Sequence, residues 1–157
     1  MRMQKGLCVY LHVPFCAGKC GYCSFYSALP NAGDIEGYLD AIAAEIALWR
    51  KRLGVPVLRT LYVGGGTPSL LSLGAWKRLI ALLEGLGDWS ALEEATAEAN
   101  PCSLSEELLA LWRSSFFTRV SLGVQSLDDG ELKILGRRHD APLADRKSTR
   151  LNSSHGS

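Results

Sequence analysis

A chain of 157 residues, 47% of them hydrophobic, holds enough apolar side chain for one domain with a core. Its formal net charge of +1 supplies no field that would select nucleic acid or an anionic membrane as a partner. The five cysteines are odd in number and three of them fall within eight residues, which excludes a disulfide framework and suits a reducing compartment such as the cytoplasm.

Met1–Lys5 carries Arg2 and Lys5, and Leu7–Phe15 is mostly apolar, which imitates a secretory leader. His12 and Pro14 interrupt that run and it ends in cysteines, so no leader is expected. No stretch reaches the ~20 apolar residues of a membrane span. Leu7–Val13 has the apolar density of a buried parallel strand, with Cys8, Tyr10 and His12 on one face and Val9, Leu11 and Val13 on the other. Pro14 ends it, and Cys16-Ala-Gly-Lys-Cys20-Gly-Tyr-Cys23 follows at its C-terminal end. The spacing is C-x₃-C-x₂-C, with Gly18 and Gly21 in the gaps where the backbone must turn sharply. One loop with three thiols suits a cubane iron–sulfur cluster gripped at three irons, the fourth left open for a small molecule. A zinc site of three cysteines and a fourth ligand such as His12 is the alternative, although structural zinc spacings usually come as two separated pairs. Cys8 and Cys102 read as ordinary buried thiols.

Asp34 reads as the N-cap of a helix whose stripe is Ile35, Tyr38, Leu39, Ile42, Ile46, Trp49 and Leu53. Arg50, Lys51 and Arg52 complement its C-terminal dipole, so the basic run belongs to a helix end rather than a binding patch, and Gly54 closes it. Leu58–Val63 is a second strand, ended by Gly64-Gly65-Gly66-Thr67-Pro68, and a helix from about Leu73 carries Trp76, Leu79, Ile80, Leu83 and Leu86. Propensity favours a helix over Ala91–Ala99, yet the segment is short and stops at Asn100-Pro101. The alternating order of units requires a strand here, with Glu94, Thr96 and Glu98 on one face. Ser103 and Glu106 form a capping-box pattern for a helix to about Arg113. Thr118–Val124 is a fourth strand, with Ser121, Gly123 and Gln125 on one face, and Ser126 caps a short helix ending near Leu135-Gly136.

Four strand–loop–helix units are the repeat of a parallel α/β barrel or half-barrel, and an eight-stranded barrel needs about 250 residues. The expectation is therefore the N-terminal part of a parallel (β/α) partial TIM-type barrel over residues 1–144. Residues 145–157 are polar and aperiodic and read as a disordered tail. That tail also resembles translated adapter sequence, which predicts that the native chain departs from this one near residue 144.

In such a barrel the loops at the C-terminal strand ends build the site. The cysteine loop, the glycine run, Glu98 and Gln125 all fall there. The three glycines leave backbone groups open to a ligand, but no Gly-Lys-Ser/Thr follows and the dinucleotide spacing is missing. A flexible turn is the plainer reading of that run. Glu98, if turned inward, needs a partner or a ligand's donor groups such as ribose hydroxyls. Arg137 and Arg138 suit a carboxylate clamp or simply a solvated helix end.

Tyr10-Leu-His-Val-Pro-Phe-Cys16 with Cys20 and Cys23, Gly64-Gly-Gly-Thr-Pro-Ser69, Glu98-Ala-Asn-Pro101, Gly123-Val-Gln-Ser126 and Leu135-Gly-Arg-Arg-His139 resemble, in this order, the radical SAM proteins. More narrowly they resemble the group of coproporphyrinogen dehydrogenases (HemN) and haem chaperones (HemW). The resemblance implies that Cys16, Cys20 and Cys23 ligate a [4Fe-4S] cluster whose open iron is chelated by S-adenosylmethionine. It places Tyr10, Gly65, Gly66, Thr67, Glu98, Gln125 and Arg137 against that nucleotide cofactor, sets Tyr22 beside the cluster, and implies reductive formation of a 5′-deoxyadenosyl radical. No catalytic residue beyond the cluster ligands is assigned. The dehydrogenase branch carries a further cysteine two places after the third; here that place is Phe25, which favours the chaperone, although Ser24 departs from its usual Cys-Asp-Phe. The implied partners are haem or a porphyrinogen, acceptor haemoproteins and a reductant such as flavodoxin. The alternatives are oxidative decarboxylation of coproporphyrinogen III and a truncated chain without activity.

Overall fold

The computed structural model describes residues 6–31 and 33–152. The readings that touch Arg2 and Lys5 lie outside them. The described chain runs β1 (Leu7–Val13), α1 (Asp34–Leu53), β2 (Leu58–Gly65), a 3₁₀ turn (Pro68–Leu70), α2 (Leu73–Glu84) and β3 (Glu94–Ala99). It continues with α3 (Glu106–Arg113), β4 (Arg119–Leu122), α4 (Asp129–Ile134) and α5 (Ala141–Asn152). All pairings are parallel and the spatial order is β1-β2-β3-β4, the sequential winding of a barrel wall.

The register sorts side chains by period two. Leu11, Val63 and Ala97 lie in one row toward the helices, while Tyr10, Tyr62 and Thr96 lie in the next row on the opposite face. The core is on the helix side. Leu11, Val13, Leu61 and Val63 pack with Leu39, Leu79, Leu83, Leu108 and the indoles of Trp76 and Trp112. The helix-facing positions of β3 are all alanine (Ala95, Ala97, Ala99), and these small side chains accompany a cluster of large rings. Trp76 meets Trp112 edge-on at 5.0 Å and Phe117 at 5.6 Å. β3 is thus a strand despite its helix-forming residues, because its place between β2 and β4 outweighs propensity.

Several boundaries differ from expectation. The residue before α1 is Gly33; Asp34 is already helical and accepts the Asn31 N–H instead (2.7 Å). The apolar stripe of α1 is covered only in its first half, and Trp49 and Leu53 are exposed. α3 is capped by Ser105, which accepts from Leu108 N–H (3.1 Å), not by Ser103. Ser103 shares a hydrogen bond with Ser69 at the end of β3 (2.6 Å). α4 is capped by Asp128 rather than Ser126, whose hydroxyl binds Glu131. β1 is half-buried rather than buried on both faces, since Cys8 and Tyr10 are exposed.

The disordered tail expected from Asp145 is corrected as far as Asn152. Asp140 accepts Leu143 N–H (2.8 Å), starting α5, Ala144 is fully buried and Lys147 donates to Leu104 C=O (2.6 Å). Residues 153–157 lie outside the described part. Among the described residues no helix is long and apolar enough to cross a membrane.

Candidate metal and cofactor site

The cysteine loop is cinched at its base by backbone alone. Ala28 N–H donates to Pro14 C=O (2.8 Å) and Cys16 N–H to Ala28 C=O (3.0 Å). Phe15 between them is buried, edge-on to Tyr38 at 5.5 Å. Within the loop Cys23 N–H donates to Cys20 C=O (3.1 Å), closing a turn.

The glycine run serves this loop. Gly66 N–H donates to Val13 C=O (2.8 Å) and Thr67 N–H to Phe15 C=O (2.7 Å), extending the β1–β2 ladder into the loop's stem. Gly65 N–H donates to Glu98 Oε2 (3.1 Å). These N–H groups, expected to be open to a ligand, are therefore taken by the chain. Glycine is required for closeness: a Cβ on Gly66 would lie 2.5 Å from Phe15 O, and one on Gly65 (φ 110°) 2.4 Å from His12 Nδ1.

His12 is a strut. Its Nδ1 pairs with the Tyr10 hydroxyl and its Nε2 with Tyr26 C=O, both at 3.0 Å, so neither ring nitrogen is free to complete a zinc site. Cys16, Cys20 and Cys23 are unpaired and half-buried, whereas Cys8 and Cys102, expected to be buried, are exposed. Among the described residues no three Cys, His, Asp or Glu side chains converge on one point that would hold a single ion. A cluster needs no such point, because each iron takes its own thiolate. Three soft sulfur donors on one loop, with cationic and hydroxyl groups beside them, fit that group.

Those neighbours are Thr67 and Arg137. Thr67 Oγ1 contacts Cys16 Sγ at 3.4 Å, and Arg137 Nη1 lies 3.8 Å from Cys20 Sγ and 3.4 Å from the Tyr22 hydroxyl. Arg137 also donates to Gly123 C=O (2.6 Å), and its Nε is buried without a partner, an orphan donor ready for an anionic acceptor. Arg138 donates to Ala17 C=O (3.2 Å), so the two arginines clasp the cysteine loop from the α4–α5 connection.

Beside the loop lies an open cavity of about 340 Å³, lined among others by Tyr22, Cys23, Gly65, Gly66, Thr67, Glu98, Gln125 and Arg137. Every residue that the sequence pointed to as a cofactor contact lines it except Tyr10, which stacks on Tyr62 at 6.2 Å instead. β4 stops at Leu122, and Val124 N–H turns back to Leu122 C=O (2.9 Å). Gln125 then takes a left-handed φ of 73° and reaches the cavity from a turn rather than from a strand. Phe25, at the place where a further cysteine is missing, is on the wall too.

Sequence reasoning missed Tyr62. It donates to Glu98 Oε1 (2.6 Å) from the neighbouring strand, and the partner Glu98 needed is thus supplied by the protein. Burial, then the Glu98 carboxylate, raises the Tyr62 phenol above its usual pKa, so it stays a donor. The signal was available: Tyr62 and Glu98 sit on one face of paired strands, two positions out of register.

The model of the radical SAM superfamily matches residues 10–145. The chain is 39% identical over 137 residues to the heme chaperone HemW of Lactococcus lactis subsp. lactis, covering 87% of this chain and 35% of that protein. With the heme chaperone HemW of Mycobacterium tuberculosis the identity is 42% over 147 residues, covering 90% and 37%. Among solved structures, that of coproporphyrinogen III oxidase (HemN) from Escherichia coli, described as a radical SAM enzyme, superposes with a TM-score of 0.80 at 29% identity. It covers 89% of this chain and 32% of that one. The chain thus spans little more than a third of the length of these curated relatives.

Proposed function

Because this chain belongs to the radical SAM superfamily, we propose that Cys16, Cys20 and Cys23 hold a [4Fe-4S] cluster and that the cavity beside them takes S-adenosylmethionine. The observation that carries this reading is the convergence of Tyr22, Gly65, Gly66, Thr67, Glu98, Gln125 and Arg137 on one cavity flanking a loop of three free thiols. A bound cluster supplies one-electron reduction of a sulfonium. The chain's own residues do the holding. Arg137 sets positive charge against a thiolate ligand and offers its unpartnered Nε to the carboxylate of the methionine moiety. Glu98, with lone pairs left after Tyr62 and Gly65, accepts the ribose hydroxyls. Tyr22 and Phe25 give the adenosine an apolar wall. The free thiols suit the reducing cytoplasm.

The whole protein is read as a haem-binding chaperone that delivers haem to acceptor haemoproteins, its cluster reduced by a donor such as flavodoxin. Both relatives named above bear the chaperone's name, and Phe25 stands where the dehydrogenase branch has its further cysteine. The second reading, oxidative decarboxylation of coproporphyrinogen III, is favoured by the likeness to HemN.

Anaerobic reconstitution with iron and sulfide, followed by EPR with and without S-adenosylmethionine, tests the site. The expected result is a cluster signal that changes when the nucleotide is added. Retention of zinc instead, or a signal indifferent to the nucleotide, overturns it. Haem titration then separates the two readings: a Soret shift with transfer to an apo-haemoprotein supports the chaperone. Product from coproporphyrinogen without haem transfer supports the enzyme.

A further inference from the structure

Among the described residues the carboxylate of Glu98 is the one acidic group in the cavity wall, and it is held by one donor from the wall itself, Gly65, and one from behind it, Tyr62. Oε1 accepts from the Tyr62 hydroxyl at 2.6 Å and Oε2 from Gly65 N–H at 3.1 Å. One donor on each oxygen fixes both the plane and the direction of a group whose last torsion is otherwise broad. The Gly65 donor comes from the backbone and is independent of side chain. The Tyr62 donor is a choice of this sequence, since phenylalanine would fill the same place on β2 and stack on Tyr10 equally well. Tyr62 does not itself line the cavity, so it acts on a ligand there through the wall residues it touches, of which Glu98, at 2.6 Å, is the charged one.

We propose that Tyr62 is a positioning residue for S-adenosylmethionine, holding the Glu98 carboxylate in the one orientation that presents its remaining lone pairs to the ribose hydroxyls. The inference rests on the reading of the cavity as the nucleotide site. The strength of the arrangement comes from a charge-assisted hydrogen bond in a partly buried place, whose loss frees the carboxylate to rotate. The raised phenol pKa of Tyr62 agrees with a hydroxyl that keeps its proton throughout the working range.

The test is a double-mutant cycle on the anaerobically reconstituted chain: wild type, Tyr62→Phe, Glu98→Gln and the double variant. Each is titrated with S-adenosylmethionine and with an analogue lacking both ribose hydroxyls, and iron content and Tm are recorded for all four. The expected result is an S-adenosylmethionine Kd raised about tenfold by Tyr62→Phe and more by Glu98→Gln. The double variant should be no weaker than Glu98→Gln alone, and the analogue should show no effect of Tyr62→Phe. A Tyr62→Phe protein that binds like wild type while Glu98→Gln does not, or effects that simply add, overturns the positioning role. So does an equal loss for nucleotide and analogue, which would mark a structural role. Failure of the wild type to bind, or indifference to Glu98→Gln, overturns the cavity reading and is thereby distinguishable.

Discussion

A methyl group on Gly66 has nowhere to go. Its two nearest neighbours would be the carbonyl oxygens of Phe15 and Val13 at 2.5 and 2.9 Å, and backbone cannot step aside as a flexible side chain can. Gly66→Ala is therefore expected to cost about 1–3 kcal/mol, as overpacking does. Because those oxygens belong to the stem of the cysteine loop, it should also lower iron retained after reconstitution; unchanged Tm and iron content would show that the stem relaxes freely. From the sequence the run was legible as a place of close approach but not of what approaches. Three glycines look alike whether a ligand or the chain's own backbone comes near. Tyr38 carries a second prediction. Burial above all, then Glu45 and Tyr10, raises its phenol well above the usual range, while its hydroxyl donates to His12 C=O at 2.9 Å. Between about pH 10, where unfolded tyrosines ionise, and that raised value, the folded chain holds a proton the unfolded chain has lost. Stability must then fall as pH rises above about 10. Urea midpoints at pH 9 and 11 should show that fall in the wild type and a smaller one in Tyr38→Phe. Tyr10 and Tyr62, whose phenols are also raised, keep part of it.

At the scale of elements, periodicity was the dependable signal and capping the unreliable one. β3 was marked correctly in spite of propensity by the alternating order of strands and helices, which required a strand there, and its period-two reading then put Glu94, Thr96 and Glu98 on one face against Ala95, Ala97 and Ala99. The capping box over Ser103 and Glu106 failed for a reason outside its four residues. Ser103 is drawn to Ser69, which also accepts Asn100 N–H at 2.9 Å, so the turn after β3 is spent joining β3 to the 3₁₀ turn before α3 can begin. Ser105 then does the capping. Ser105→Ala should cost about 1 kcal/mol and expose the Leu108 N–H to exchange, since its acceptor at 3.1 Å is gone. Ser103→Ala should leave that N–H protected. Hydrogen exchange at this one amide decides between the two serines; loss of protection in Ser103→Ala would return the cap to it.

At the scale of the molecule, the winding of four units was legible because strands and helices alternate along the chain, an order that also supplied β3 where local propensity pointed to a helix. The cavity was legible because barrel loops at one end must meet. α5 was not, since its anchorage depends on a buried Ala144 and a Lys147 contact to Leu104 that carry no periodic signature. Core and site occupy different parts of the sheet. Leu11, Val63, Trp76 and Trp112 pack on the helix side, whereas the cysteine loop stands beyond the strand ends, tied by Pro14, Ala28, Val13 and Gly66 backbone groups. None of those ties uses sulfur. Replacing Cys16, Cys20 and Cys23 together by serine should therefore leave the metal-free chain within about 0.5 kcal/mol of wild type, the ordinary range for substitutions outside a core. Iron and sulfide bound on reconstitution should drop to background. Loading should raise Tm in the wild type alone, since a group that binds only the folded state stabilises it by mass action. Chemical denaturation of both proteins, metal-free and then reconstituted, checks all of this. A triple variant that is unfolded without metal would mean that the thiols hold the loop and the loop holds the sheet, reversing the order of dependence from fold to site.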